Sequence, residues 1–298
     1  MRTTKRFTPT VLYRFKKQDR GLGTFKNYIP WHRVGRGDPS SRGRSHLQMW
    51  ADRQRELLSD KEWIGFFFAV SMKFLFDLIE QFPLSLEGNF HELSKYVVDA
   101  FHSTLPGTIE LAKRLRIRHP KTTEKGRSSE WVMTTDFLLV LKLASGKLEL
   151  LAVAFKTDED FAKKRTKELL TLEREYWTAR GVTWLLITPA LYDKRVELRL
   201  RDTMPWALVN PVPGAELIIA AAMVLEHQGR SLTYVLEVLT SKFGDDDYAK
   251  RAFWQAVWCG KIPLDLRRGW RPHQPIVLLS EDEFRSLNPI ASRRSSWI

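Results

Sequence analysis

The chain is 298 residues long, 43% of them hydrophobic, with a mean hydropathy of −0.32, enough for a sizeable core in one large domain or two. The longest near-continuous apolar stretch, Ile64 to Leu78, already carries Lys73 and Asp77, which excludes a transmembrane span, and the lone Cys259 excludes an internal disulfide and a multi-cysteine zinc site. Of the net charge of +13, +10 falls in the first fifty residues, where 12 Lys and Arg face 2 acidic side chains. A basic arm on a nearly neutral body is the footprint of a polyanion partner, nucleic acid first among them.

That arm, residues 1–50, reads as extended: Gly21, Gly23, Gly35, Gly37 and Gly43 stand beside Pro30 and Pro39, with no helical period. Lys16, Lys17, Arg42 and Arg44 are its candidate phosphate contacts. Tyr28 to Trp31 form a compact apolar cluster that fits docking onto the body better than stacking on bases. No apolar segment follows Arg2, Lys5 and Arg6, so no secretory signal is expected, and a reducing cytoplasm fits the single thiol.

A helix follows, with Ser59 as N-cap, Glu62 three positions on as in a capping box, and Trp63, Phe66, Phe67, Val70 and Phe74 at helical spacing. Phe74 to Phe82 passes into a strand ended by Pro83. Glu87 to Arg118 reads as polar and helix-forming. Trp131 to Leu143 and Lys147 to Phe155 are strands joined by Ala144-Ser145-Gly146, a hairpin. A helix from Asp160 to Arg180 stops at Gly181, and Val182 to Thr188 fits a buried strand. This order describes an α/β domain with a mixed sheet flanked by helices.

Around Pro205, Pro211, Pro213 and Gly214 the composition is that of a linker. Three helical patterns lie beyond it, Ala215 to His227, Ser231 to Phe243 and Asp245 to Cys259. The strand-like Ile262 to Leu266 and Ile276 to Leu279 then flank Arg267, Arg268, Gly269, Trp270 and Arg271. Three helices and a hairpin with a basic tip make a winged-helix pattern, with Arg267, Arg268 and Arg271 as candidate DNA contacts. The expected organisation is thus a basic arm (1–50), a core domain (51–203) and a mainly helical C-terminal domain (204–298).

Phosphate-binding loops, nucleophile elbows and closely spaced histidine pairs are absent from the sequence. What remains is Asp136 in one strand of the hairpin, Lys156 at the end of the other, and Glu62 on the earlier helix. Phosphodiester hydrolysis needs a hard divalent cation on oxygen ligands and a positive charge beside the attacked phosphate. Asp136 and Glu62 suit the first requirement with Mg²⁺ (Mn²⁺ as substitute), and Lys156 suits the second and could also orient or deprotonate the attacking water. Each also has a structural reading: Glu62 completes the capping box, Lys156 snorkels from a strand end, and Asp136 is a carboxylate that needs a partner among apolar neighbours.

The segments Tyr28-Ile29-Pro30-Trp31, Ser40-Ser41-Arg42-Gly43-Arg44-Ser45-His46, Leu57-Leu58-Ser59-Asp60-Lys61-Glu62, Glu80-Gln81-Phe82-Pro83-Leu84, Ile117-Arg118-His119-Pro120, Val132-Met133-Thr134-Thr135-Asp136-Phe137 and Leu172-Glu173-Arg174-Glu175-Tyr176-Trp177 resemble, in order, motifs of TnsA, the endonuclease subunit of heteromeric cut-and-paste transposases. The resemblance implies a restriction-endonuclease-like PD-(D/E)XK core and Mg²⁺-dependent cleavage at the 5′ ends of a transposon. It also implies a TnsB-like DDE transposase and a TnsC-like AAA+ ATPase as partners, in a bacterial cytoplasm. Glu62, Asp136 and Lys156 match the family's catalytic residues, and Glu173 is a weaker match for an outer ligand or support. Where the family places Gln two residues before the lysine, this chain has Ala154, so the Phe155 carbonyl and water are expected to complete the metal's oxygen ligands. The rival readings are an architectural DNA-binding subunit without catalysis, motivated by Ala154, and a stand-alone restriction or repair nuclease.

Overall fold

The computed structural model describes residues 7–35, 44–97 and 103–297. Within that range the chain divides into two units, one drawn from Met1–Trp63, Phe74–Thr188 and Ser296–Ile298, the other from Ile64–Lys73 and Pro189–Ser295.

In the first unit the arm is not extended throughout. Pro9–Lys17 is a helix, α1, with Thr8 as its N-cap and Pro9 at its first turn. It buries Leu12 and Phe15 against Trp31 and Val132. The Gly and Pro signals of the arm lie after this segment, and nine residues are too few for the periodicity to stand out. Arg20 closes the cluster, its guanidinium 3.9 Å from the Phe15 ring centroid and its Nη1 donating to the Trp31 carbonyl at 3.2 Å. Tyr28 and Trp31 are buried, so this part of the arm docks, as their clustering predicts.

Strands β1 (His46–Trp50) and β2 (Arg53–Leu57) form a hairpin that the sequence pattern does not announce. Its turn residues Ala51 and Asp52 both take positive φ, and Ala-Asp carries none of the glycine signal such turns usually show. Helix α2 (Asp60–Val70) starts at Ser59 as expected. Strand β3 (Leu75–Pro83) follows, ending at the expected proline.

Glu87 to Arg118 is not one helical stretch. Its described residues hold a single 3-10 turn at Glu92–Lys95, an antiparallel bridge between Asn89 and Leu105, and a short helix α3 (Thr108–Arg114). Gly107 sits so close to the carbonyls of Leu86 and Glu87 that a Cβ there would lie 2.3 Å from each oxygen, a close approach that interrupts the helix. The segment is anchored by Glu92, which accepts from Arg180 Nε and from the Tyr176 hydroxyl.

After a second small hairpin, β4 (Lys121–Glu124) and β5 (Arg127–Glu130), the expected pair appears as β6 (Thr134–Lys142) and β7 (Leu148–Phe155), antiparallel with Phe137 opposite Val153. Helices α4 (Asp158–Ala162) and α5 (Lys164–Thr178) then cross over to β8 (Thr183–Ile187), which joins β7 in parallel. The sheet order β3-β6-β7-β8 is mixed, and α5 packs Leu170, Leu172, Tyr176 and Trp177 into a core with Leu138, Val140, Ala152, Ala154 and Leu186. The architecture is a mixed sheet flanked by helices, consistent with a restriction-endonuclease-like fold.

The second unit is mainly helical. Helix α6 (Lys194–Ala207), capped by Asp193, runs through Pro205, so the composition of a linker is confined to 208–213. The three expected helices follow as α7 (Gly214–Glu226), α8 (Leu232–Phe243) and α9 (Asp246–Trp258). The expected hairpin is reduced to a bridge between Leu264 and Leu278, flanked by the bonds Asp265 N–H to Val277 O and Leu279 N–H to Pro263 O. Pro263 and Pro275 lack the N–H a longer ladder needs. A last helix, α10 (Glu281–Ser286), carries a full capping box on Ser280. Among the described residues no helix is long and apolar enough to cross a membrane.

Candidate active site

Glu62 stands in the first turn of α2 and is buried. Its backbone N–H donates to Ser59 Oγ at 3.2 Å, and its carboxylate accepts from Ser59 Oγ at 3.2 Å and from the Leu58 N–H at 2.9 Å. Ser59 therefore caps the helix, while the carboxylate takes the Leu58 N–H in place of the Ser59 N–H that a closed capping box uses. That bond does not exhaust the side chain, because Oε2 also accepts from Gln81 Nε2 at 2.8 Å. Burial pushes the Glu62 carboxyl up to about 8, with Asp136 adding to the shift; the Leu58 N–H, Lys156 and Ser59 pull the other way.

Asp136 lies in β6, one position before the pairing of Phe137 with Val153, beside Ala154 of β7. Its Oδ2 accepts from the Phe155 N–H at 2.7 Å and faces Lys156 Nζ at 3.3 Å. The carboxylate that interrupts an apolar strand thus finds its partners across the hairpin. Lys156 Nζ also donates to the Phe155 carbonyl at 2.9 Å. The Asp136 and Lys156 side chains are 15% and 30% exposed, so the pair opens to solvent on one side. Burial works against the ammonium, but Asp136, Glu173 and Glu62 together hold its pKa above the ordinary lysine value. The ammonium form of Lys156 is thus favoured where it faces Asp136.

Glu173, from α5, is buried behind this pair. It accepts from Thr135 Oγ1 at 2.9 Å and from Trp184 Nε1 at 3.1 Å, while Trp177 Nε1 donates to the same Thr135 hydroxyl at 2.7 Å. Thr135 precedes Asp136, so this chain of bonds fixes the strand segment that carries the aspartate. Burial and Asp136 push the Glu173 carboxyl up to about 7 against the opposing pull of Lys156.

Two polar residues at the site, Thr135 and Gln81, have no role that the sequence alone assigns. Both lie within the TnsA-like segments, and the only local signal is a polar side chain inside an apolar strand. Gln81 is the clearer case: it is buried, and its φ of +52° is rare for a residue with a Cβ.

The donors fit a hard divalent cation in kind. Glu62, Asp136 and the Phe155 carbonyl offer oxygen only, and three carboxylates, Glu62, Asp136 and Glu173, stand against the single ammonium of Lys156. Among the described residues no group of three or more His, Cys, Asp or Glu side chains is clustered to hold a metal. Ala154, whose methyl lies in the core, adds no ligating side chain.

The candidate DNA contacts are spread over both units. Lys16 and Lys17 are exposed on α1, Lys17 with its ammonium 4.9 Å from the Tyr13 ring centroid, and Arg44 is exposed just before β1. Arg42 lies outside the described residues, with the rest of 36–43. In the second unit Arg268 and Arg271 are exposed, whereas Arg267 is forked onto Asp265 at 2.7 and 3.1 Å and its charge is matched.

A family model described as TnsA-like endonuclease N terminal matches residues 94–189, which include Asp136, Lys156 and Glu173 but not Glu62. The transposon Tn7 transposition protein TnsA of Escherichia coli is 32% identical over 203 residues, covering 67% of this chain and 63% of that protein. The alignment thus spans less than two thirds of that protein's length.

Proposed function

We propose that the chain is an endonuclease of the TnsA family, which the match over residues 94–189 and the 32% identity to Tn7 TnsA support, and that it hydrolyses a phosphodiester at the 5′ ends of a transposon. The observation that carries the proposal is the hairpin geometry, in which Asp136 Oδ2 accepts from the Phe155 N–H and faces the Lys156 ammonium. This puts a carboxylate, a backbone carbonyl and a cation within reach of one phosphate.

Glu62, Asp136 and the Phe155 carbonyl would hold Mg²⁺, with Mn²⁺ as a substitute and water completing its ligands. Bound there, the ion supplies an activated water and a Lewis acid for the phosphate oxygens. Lys156, its ammonium favoured first by Asp136, stabilises the negative charge that builds on the attacked phosphate. Lys156 donates to the Phe155 carbonyl, a bond it would have to release for that oxygen to hold the ion. Gln81 and Ser59 orient Glu62, and Thr135 with Glu173 orients Asp136.

The proposed substrate is transposon-end DNA. The proposed partners are a TnsB-like DDE transposase, which processes the other strand, and a TnsC-like AAA+ ATPase, acting together in the bacterial cytoplasm. The test is nicking of a transposon-bearing plasmid with the partner transposase present. Asp136→Ala and Lys156→Ala are each expected to abolish 5′-strand nicking while leaving assembly on DNA intact. Unchanged nicking in either variant rejects the assignment.

A further inference from the structure

The second unit buries a guanidinium nitrogen that no hydrogen bond among the described residues satisfies. Arg199, on α6, has a side chain only 6% exposed, and its Nη1 has no hydrogen-bond partner among the described residues. Its ion pair is with Asp202, at 3.6 Å, a side chain 53% exposed. A buried donor without a hydrogen bond is expensive, and a half-exposed carboxylate at 3.6 Å offsets only part of the cost. Burial accordingly lowers the Arg199 pKa, with Asp202 only partly restoring it.

The same guanidinium lines a cavity of about 50 Å³ together with Trp254, Arg268, Gly269, Trp270 and Arg271. That is room for a few waters or one tetrahedral oxyanion. The carboxylate on the wall, Asp265, is already taken by Arg267. Gly269, at a φ of +75°, brings the backbone close to Arg199: a Cβ there would lie 4.0 Å from Nη2. Trp270, 49% exposed, stacks on the buried Trp254 and has the Arg199 guanidinium 4.9 Å from its ring centroid.

We propose that this cavity is a phosphate-binding site for the DNA backbone, with Arg199 at its floor, Arg268 and Arg271 at its rim, and Trp270 packing against the adjoining sugar or base. Three arginines around a space of one oxyanion select the chemistry, since the planar guanidinium forks onto phosphate oxygens. The exposed aromatic beside them favours a nucleic acid over an acidic peptide, because a ring face adds contact with a base or sugar. The inference rests on the reading that the chain acts on DNA, but not on the nuclease centre.

The test is binding of a fluorescently labelled transposon-end duplex to the full chain, measured by anisotropy across a salt series, together with thermal melts of the free protein. Arg199→Met is expected to weaken binding about five- to tenfold and to flatten the log–log salt dependence by about one phosphate. Because it removes a buried donor without a hydrogen bond, it is also expected to raise the Tm of the free protein. Arg268→Gln and Arg271→Gln, exposed and neutral to folding, are expected to weaken binding in the same direction.

Unchanged affinity and slope in the rim variants overturns the proposal, as does a lower Tm for Arg199→Met with no change in binding by the rim variants. Inorganic phosphate alone should raise the wild-type Tm and not that of Arg199→Met. If phosphate stabilises while DNA affinity is unaffected by all three variants, the site takes a free oxyanion or an acidic peptide, and the DNA assignment falls. Failure of the nuclease reading is seen separately, as nicking that survives Asp136→Ala.

Discussion

The side-chain amide of Gln81 donates to Glu62 Oε2 at 2.8 Å from a backbone held at a φ of +52° in the middle of β3. Its neighbours pair regularly, Glu80 with Phe137 and Phe82 with Thr135, so Gln81 stands at the position facing Asp136. The Tyr28 hydroxyl donates to its carbonyl at 3.3 Å, which ties the docked arm to this point. A left-handed residue inside a strand costs about 1–3 kcal/mol and persists where the surroundings over-determine it.

The side chain rather than the backbone turn is therefore expected to matter for the chemistry. Gln81→Ala and Gln81→Gly both remove one of the donors to Glu62, and each is expected to lower nicking roughly 10- to 100-fold, the usual effect of losing a ligand's supporting bond. Gln81→Gly also relieves the φ cost, so its Tm should exceed that of Gln81→Ala. Nicking that differs between the two variants as their Tm values do would assign Gln81 to folding alone.

Ala154 is buried in the core shared with α5. Replacing it with Gln crowds that core with a polar group, and a loss of about 1–3 kcal/mol in stability is expected. The same amide begins beside Asp136 and adds an oxygen donor to a site that lacks a third ligating side chain. Calorimetric titration of Ala154→Gln with Mn²⁺ is expected to show several-fold tighter binding than the wild type. Equal affinity would mean that the side chain at 154 does not reach the metal ligands.

The difference between what was legible in the sequence and what was not follows the range of the interactions. The hairpin of β6 and β7 and the strand β8 rest on apolar runs bounded by Gly146, Gly181 and Pro189, and helix α5 on Leu169, Leu172 and Tyr176 at helical spacing, and these were readable locally. So was the pairing of Asp136 with Lys156, since a hairpin fixes which residues face each other. The β1–β2 hairpin turns on Ala51 and Asp52 at positive φ, which no local propensity favours. Glu173 and Gln81 reach the site from other elements, so their partners, Thr135 and Glu62, were fixed only by tertiary packing. The burial of Arg199 had no signal at all, because the cavity it lines is built from Trp254 and the 268–271 segment, far away in sequence.

The raised pKa of Glu62 makes stability depend on pH in a definite direction. An unfolded carboxyl titrates near its ordinary value of 4.5, whereas burial and Asp136 hold the folded one at about 8. Between these values the native state keeps a proton that the unfolded chain has released, so stability falls as pH rises and the cost is complete above about 8. Glu62→Gln keeps the shape and removes the titration. In metal-free buffer with EDTA, its Tm should match the wild type below pH 4.5, exceed it increasingly through the window by a few degrees, and level off above about pH 8. A Tm difference that does not vary with pH would show that Glu62 ionises as freely in the fold as in the unfolded chain.

The structure also decides how the basic arm must be tested. Removing residues 1–27 would take away Leu12 and Phe15, which are buried with Trp31 and Val132, and the unit itself would be destabilised. Lys16 and Lys17 lie on the exposed side of α1, so Lys16→Gln with Lys17→Gln alters charge while leaving that packing in place. If both lysines lie on duplex phosphates, the log–log salt dependence of DNA binding is expected to flatten by roughly 0.9 for each phosphate no longer neutralised, with the Tm unchanged. A slope equal to the wild type at the same Tm would assign the exposed face of α1 to a partner other than DNA.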